Sequence, residues 1–207
     1  MTAVPALEMR PLRIGDSAPD FRVRSTAGEI QMSRLRGQWV VLFSHPADFT
    51  PVCSTEFAEL ARRQAEFEAE DCVLLGLSVD SLYAHLAWMK ALEDVFGVTV
   101  RFPVLEDPSM AIGRAYGMVD EQSTDSMAMR STFFIDPDGI VRAITTYPHN
   151  VGRSVEEILR LLKALRRVTG VRALAPEGWR DGKPLLLPVA EQPGTAPDWF
   201  CRYEGKP

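Results

Sequence analysis

Ser44-His45-Pro46-Ala47-Asp48-Phe49-Thr50-Pro51-Val52-Cys53-Ser54-Thr55-Glu56-Phe57 is the stretch from which the fold can be read. An unbroken apolar run, Trp39–Phe43, leads into it, with the length and continuity of a strand buried on both faces. Thr50 is a good N-cap residue, and Pro51 suits the first helical position, where its missing N–H costs nothing. Phe57, Leu60, Ala61 and Phe67 then recur at helical spacing between charged residues, so a helix is expected to end near Asp71. Cys53 falls in the first turn, where unpaired backbone N–H groups and the positive end of the helix favour an anion. The thiolate is the reactive form of cysteine. A small buried hydrophobe is the other reading of a free cysteine; the strand end, cap and proline favour chemistry.

Outward from this stretch, residues 1–11 read as a frayed or lightly paired start. Leu12–Val23, with Gly15, Pro19 and Asp20, reads as a turn and a short extended segment, and Ala27-Gly28 turns the chain into a strand at Glu29–Met32. Cys72–Val79 is a second buried-type strand. Ser81 caps a helix with Leu82, Leu86, Met89 and Val95 on one side, which stops at Gly97. Val104-Leu105 is a short strand, Pro108–Tyr116 a short helix, and Gly117–Met129 a loop. Thr132–Ile135 and Ile140–Thr145 flank Pro137-Asp138-Gly139, a hairpin pattern. Ser154-x-x-Glu157 is a capping box, opening a helix with Val155, Ile158, Leu159, Leu162, Leu165 and Val168 on one face. Buried strands alternating with helices, plus one hairpin, predict an α/β sheet covered on both sides. Beyond Thr169-Gly170, six of the fifteen prolines crowd into the last 37 residues. Such a tail does not easily build its own core, so Trp179, Leu185–Leu187, Trp199 and Phe200 are expected to pack on another surface.

The 207 residues are 46% hydrophobic and 25% charged, the profile of a globular protein with a full core. A net charge of −5 argues against a nucleic-acid footprint. No apolar run approaches the roughly 18 residues of a membrane helix. The start lacks a secretory pattern, so a cytoplasmic protein is expected. Three cysteines without a close pair make no disulfide framework, and a transient, catalytic disulfide is the kind expected in the cytosol. Three His and three Cys show no metal-ligand spacing, and haem and flavin motifs are missing, so neither metal nor cofactor is expected.

Pro46-x-x-x-Thr50-x-x-Cys53 resembles the active-site signature of peroxiredoxins, thiol peroxidases on a thioredoxin-like fold. Phe43-Ser-His-Pro-Ala-Asp-Phe-Thr-Pro-Val-Cys53 is similar to the peroxiredoxin-6-type subfamily in particular. The resemblance runs from about Leu12 to Arg166 and returns at the C-terminus. It implies a thioredoxin-like core, a central mixed sheet flanked by helices, over residues 1–168. It also implies a C-terminal extension, residues 169–207, that embraces a partner subunit as a dimerisation arm. Dimer is the expected assembly, with a decamer also known in the subfamily.

The implied reaction is attack of the Cys53 thiolate on a peroxide O–O bond, leaving a sulfenic acid. Thiol acidity alone does not make a fast peroxidase, because nucleophilicity falls as acidity rises. Donors fixed near the departing oxygen are needed too. By resemblance the Thr50 hydroxyl contacts thiolate and peroxide, a role compatible with N-capping. Pro46 shields the thiolate from water besides shaping the turn. Arg130, in Arg130-Ser-Thr-Phe-Phe-Ile-Asp136, matches the arginine before the family's late strand; alone it would read as surface. Arg153, in Tyr147-Pro-His-Asn-Val-Gly-Arg153, resembles a second pocket arginine, with a surface charge as the other reading. His45 is either a hydrogen-bonding neighbour of Cys53 or a structural histidine, and Glu56 either orients an arginine or caps the helix from the surface. His85, Trp88 and Cys72 read as packing.

Asp198-Trp199-Phe200-Cys201 resembles the Trp-Phe-Cys ending of archaeal-type members, in which that cysteine is the resolving thiol across a subunit interface. The alternative is a tail thiol without a role and resolution by an outside thiol. The expected activity is therefore reduction of hydrogen peroxide and small organic hydroperoxides, recycled by a thioredoxin-like reductant. A thioredoxin-type oxidoreductase fits poorly, because Cys53 is followed by Ser54-Thr55-Glu56 rather than C-x-x-C. A non-enzymatic holdase is the remaining class. Mammalian members carry Gly-Asp-Ser-Trp, linked to a phospholipase activity; here the segment is Gly37-Gln38-Trp39, and no phospholipase activity is expected.

Overall fold

The computed structural model describes residues 11–119, 125–189 and 199–205. Most of the expected frayed start, part of the loop 117–129, and Asp198 of the C-terminal motif lie outside them. The contacts divide the chain into two compact units, Met1–Arg153 and Ser154–Pro207.

In the first unit, strands β1 (Arg22–Ser25), β2 (Gly28–Gln31), β3 (Trp39–Ser44), β4 (Cys72–Ser78), β5 (Val104–Glu106), β6 (Arg130–Ile135) and β7 (Val141–Tyr147) form one mixed sheet. Its order is β2-β1-β5-β4-β3-β6-β7. β3, β4 and β5 run parallel, whereas β6 pairs antiparallel with β3 and β7, and β1 with β5 and β2. The parallel steps are crossovers through helices α1 (Pro51–Ala69) and α2 (Leu82–Phe96), as such connections require. A 3-10 turn at Met32–Leu35 and a short helix α3 (Ala111–Ala115) complete the unit.

Both sheet faces are apolar, as the continuous runs of β3 and β4 predict. Val40 and Leu42 point to one face with Leu75, Leu77, Leu105, Phe133 and Ile135, under Ile112, Tyr116 and Met118. On the other side the ring of Phe43 meets Phe57 of α1 at 5.5 Å and Phe102 at 5.9 Å. Gly76 makes room for this stack: a Cβ there would stand 3.2 Å from Phe57 and 3.3 Å from Phe43. The hairpin between β6 and β7 turns through Asp136, whose carboxylate takes the Ile140 N–H, and Gly139, at φ 71°.

Helix α2 departs from the sequence pattern. Its buried face is His85, Trp88 and Leu92, while Leu86 and Val95 are exposed. The two polar-tipped aromatic residues win the inward side because each finds a hydrogen-bond partner there, whereas an apolar count ignores such partners. Ser81 caps the helix through the Ala84 N–H, and Gly97 ends it in the left-handed conformation, as expected.

The second unit begins with α4 (Val155–Val168), where Ser154 accepts the Glu157 N–H. The sequence pattern placed this helix with the core domain; by contacts it groups with the tail. The tail does form a small core: Trp179 and Leu185 are buried against Ala164 and Ala173. For Trp179 and Leu185 the last turns of α4 supply the surface outside the tail that the sequence pattern called for. Trp179 also donates its indole N–H to the Lys183 carbonyl, and Arg160 donates to the Trp179 carbonyl. Phe200, by contrast, is 61% exposed.

Candidate active site

The strand topology explains why residues far apart in sequence meet at Cys53. β6 is antiparallel to β3, so the start of β6 lies at the end of β3, where the chain turns into α1. The Ser44 hydroxyl fastens this junction, donating to the Met129 carbonyl and accepting from the Ser131 N–H. Arg130, the first residue of β6, is thereby placed over the first turn of α1. Its Nη1 lies 3.2 Å from Cys53 Sγ, although the two are 77 residues apart. Cys53 has no exposed surface, and Arg130 is only 2% exposed. The surface reading of Arg130 does not hold.

Glu56, one turn after Cys53, carries the arrangement. It accepts from Arg130 Nη1 at 2.9 Å and from Arg153 Nη2 at 2.8 Å, and its other oxygen takes the Arg153 backbone N–H at 2.7 Å. Arg153 also donates to the Ser131 carbonyl and the Thr132 hydroxyl, with its guanidinium 5.3 Å from the centre of the Phe43 ring. Arg130 is held from its other edge by the His149 carbonyl. Both guanidinium planes are thus fixed by protein partners, which suits an electrostatic role. Burial pushes the Glu56 carboxyl up, but the bonds and charge of Arg153, with Arg130 behind, hold it below the ordinary carboxylate range. The surface readings of Glu56 and Arg153 are likewise corrected: both are buried.

Thr50 stands at the N-cap position, yet its side chain does not cap. The hydroxyl turns back and donates to the Ala47 carbonyl at 2.8 Å, bracing the loop instead. The first backbone bond of the helix is Ser54 N–H to Thr50 carbonyl, so Val52 and Cys53 keep the unpaired N–H groups of an uncapped first turn. Pro46 is buried beside this loop, and Phe49, exposed between Asp48 and Thr50, sits at φ 58°.

His45 is buried, and its partner is Asp48, at 2.9 Å from Nε2, rather than Cys53. The other oxygen of Asp48 lies 2.7 Å from His85 Nδ1. The side chains of His45, Asp48 and His85 bring potential ligand atoms within 4.8 Å of one another, a grouping that sequence spacing did not suggest. Asp48 was missed, although its position three residues after a buried histidine was the available signal. Cys201 belongs to the second unit, where it is exposed. Its segment is tied by backbone bonds from Leu187 to Arg202 and from Glu204 to Leu185. Among the described residues no helix is long and apolar enough to cross a membrane.

Residues 14–144 match the AhpC/TSA family. The chain is 44% identical over 204 residues to "Peroxiredoxin 2" of Caldanaerobacter subterraneus subsp. tengcongensis, covering 93% of this chain and 92% of the relative. Among solved structures it resembles a yeast mitochondrial 1-Cys peroxiredoxin, with a TM-score of 0.78, 35% identity, and 86% and 87% of the two chains covered. It also resembles reduced 2-Cys peroxiredoxin of Plasmodium vivax, with a TM-score of 0.78, 30% identity, and 85% and 93% covered.

Proposed function

The chain belongs to the AhpC/TSA family and is a peroxiredoxin, a thiol peroxidase, and on that premise we propose that Cys53 is its peroxidatic nucleophile. The observation that carries this reading is the Arg130 guanidinium 3.2 Å from the Cys53 sulfur. The thiolate attacks one oxygen of a hydroperoxide; an S–O bond forms, the O–O bond breaks, and water or an alcohol leaves after taking a proton. Arg130 stabilises the thiolate and then the departing oxygen. Thr50 has spent its hydroxyl proton on Ala47, so it accepts the peroxide O–H and orients the attacked oxygen. Pro46 keeps water from the sulfur, Glu56 and Arg153 hold Arg130 in place, and His45 belongs to the supporting wall of the loop. A sulfur with no exposed surface suits hydrogen peroxide and small organic hydroperoxides.

Resolution is assigned to Cys201 of a partner subunit: its thiolate attacks the sulfenic sulfur, an S–S bond forms and water leaves. A disulfide needs Cα atoms within about 7 Å, so a buried Cys53 reacts with any second thiol only after the first turn of α1 opens. The exposed thiol of Cys201 supports this reading, and a thioredoxin-like reductant then restores both thiols. Residues 169–207 serve as a dimerisation arm, to which the exposed Phe200 contributes apolar surface, in a homodimer or a homodecamer. A reducing, cytoplasmic location suits a disulfide that is transient and catalytic. Resolution by an external thiol is the second reading, favoured by the likeness to the yeast 1-Cys enzyme.

The test is mass spectrometry and non-reducing electrophoresis after one equivalent of hydrogen peroxide. A Cys53–Cys201 link between chains is expected. Oxidised Cys53 with Cys201 still free would favour the external thiol, and a fully reduced Cys53 would remove the peroxidatic assignment.

A further inference from the structure

The buried triad beside the active-site loop has a proton inventory that does not balance for two neutral histidines and a carboxylate: its three contacts need one proton more. His85 Nε2 lies 3.1 Å from the Leu105 carbonyl, which only accepts, so that nitrogen carries a hydrogen. His85 Nδ1 lies 2.7 Å from Asp48 Oδ2. A bare Nδ1 facing a carboxylate at that distance would set lone pair against lone pair, so something positive lies between them. Two ligands of one tetrahedral zinc, each about 2.0–2.1 Å from the ion, stand roughly 3.3 Å apart. The 2.7 Å spacing here, and the 2.9 Å between Asp48 and His45, therefore fit protons rather than an ion. The Asp48 carboxyl would be raised by burial alone, yet bonds from His45 and His85 hold it below its ordinary range, which favours the carboxylate.

We propose that His85 carries hydrogens on both ring nitrogens at neutral pH and acts as a positioning residue, tying the loop that bears Pro46 and Thr50 to helix α2 through Asp48. This rests on the peroxidase reading of Cys53. The titratable groups around the ring are Asp48 and the neutral His45 from the loop and, at the end of β5, Glu106, which is itself paired with Arg24. Asp80, after β4, accepts the Asp48 backbone N–H and completes the clamp. The clamp has work to do, because Phe49 holds a left-handed φ of 58° between Asp48 and Thr50. For a bulky residue that conformation is sterically costly, and a loop free at Asp48 would relax it. Relaxation would carry away the Thr50 hydroxyl while leaving Cys53 and Arg130, which are fixed by α1 and β6.

The experiment uses the reduced full-length protein labelled with 15N-histidine, with His85 assigned by loss of its signals in His85→Gln. At pH 7 both His85 nitrogens are expected to be protonated, with His45 protonated only at Nε2. In Asp48→Asn the amide donates to His85 Nδ1, so that nitrogen is expected to become bare. A bare His85 nitrogen in the wild type, or a shift of these signals on adding zinc or removing metal with EDTA, would overturn the proposal. In stopped-flow oxidation by hydrogen peroxide, folded His85→Ala is expected to lose about tenfold in rate, and Asp48→Asn to retain more rate than Asp48→Ala. A His85→Ala rate within twofold of the wild type would also overturn it. A wild-type protein that reacts no faster than a free thiol would fail the peroxidase reading instead, and the NMR result would stand apart from it.

Discussion

Two cysteines in this chain live in opposite surroundings. Cys53 sits without exposed surface at a helix start, below a guanidinium held by Glu56 and the His149 carbonyl. Cys201 lies exposed on a short segment joined by backbone bonds to residues 185 to 187. The first site is built so that nothing moves when charge develops; the second is built to be reached. A peroxide reaction gains from the first arrangement, because fixed donors need no reorganisation in the transition state. A thiol exchange step gains from the second, because it is limited by access and alignment.

The contrast is broken most completely by Cys53→Ser. Peroxide consumption in a coupled assay should fall by more than about a thousandfold, since removing a nucleophile cannot be compensated by neighbours. Arg130→Gln keeps the sulfur but loses the charge. The second-order rate of Cys53 oxidation should drop by about a hundredfold in stopped flow. Glu56→Ala leaves two buried guanidinium groups without their shared carboxylate, at a cost of about 3–5 kcal/mol of stability, read by chemical denaturation. Cys201→Ser sharpens the comparison from the other side. Cys53 oxidation should stay within about twofold of the wild type, while the linked dimer disappears from non-reducing gels.

The smallest expected effect is in acid. Burial holds the His45 imidazole below its ordinary value, against the pull of Asp48. A neutral folded His45 therefore contributes stability that is complete above about pH 6.5 and declines as the pH falls below it. The Glu56 carboxyl is likewise lowered, by Arg153 and Arg130 against burial, so its contribution is lost further down, below about pH 4.3. Denaturation midpoints measured from pH 8 to pH 3 should fall in these two stages.

Much of this was legible in the chain. The run Trp39–Phe43, the Thr50-Pro51 start and the Pro137-Asp138-Gly139 turn each appear where their local chemistry places them, because each depends on neighbours in sequence. The AhpC/TSA match extends the same reading to the fold as a whole. What the sequence hid was partnership across the sheet. Arg153, Glu56 and Asp48 carry charge, and charge usually means surface. Only the antiparallel pairing of β6 with β3, and the crossing of α2 over β5, reveal what neutralises them. The packing role of His85 and Trp88 was legible, but not that their side of α2 is the one that faces inward. An apolar count sees Leu86 and Val95, and misses Asp48 and Ser54, the side chains that await those two rings.

Gly76 gives this architecture a vulnerability far from any solvent. A single methyl group added in the middle of β4 would push on the Phe57 ring, one turn beyond the reactive sulfur. The ring can make room only by shifting within the stack that Phe43 and Phe102 complete, so the mutational tolerance of the helix bearing the thiol is set partly from within the sheet.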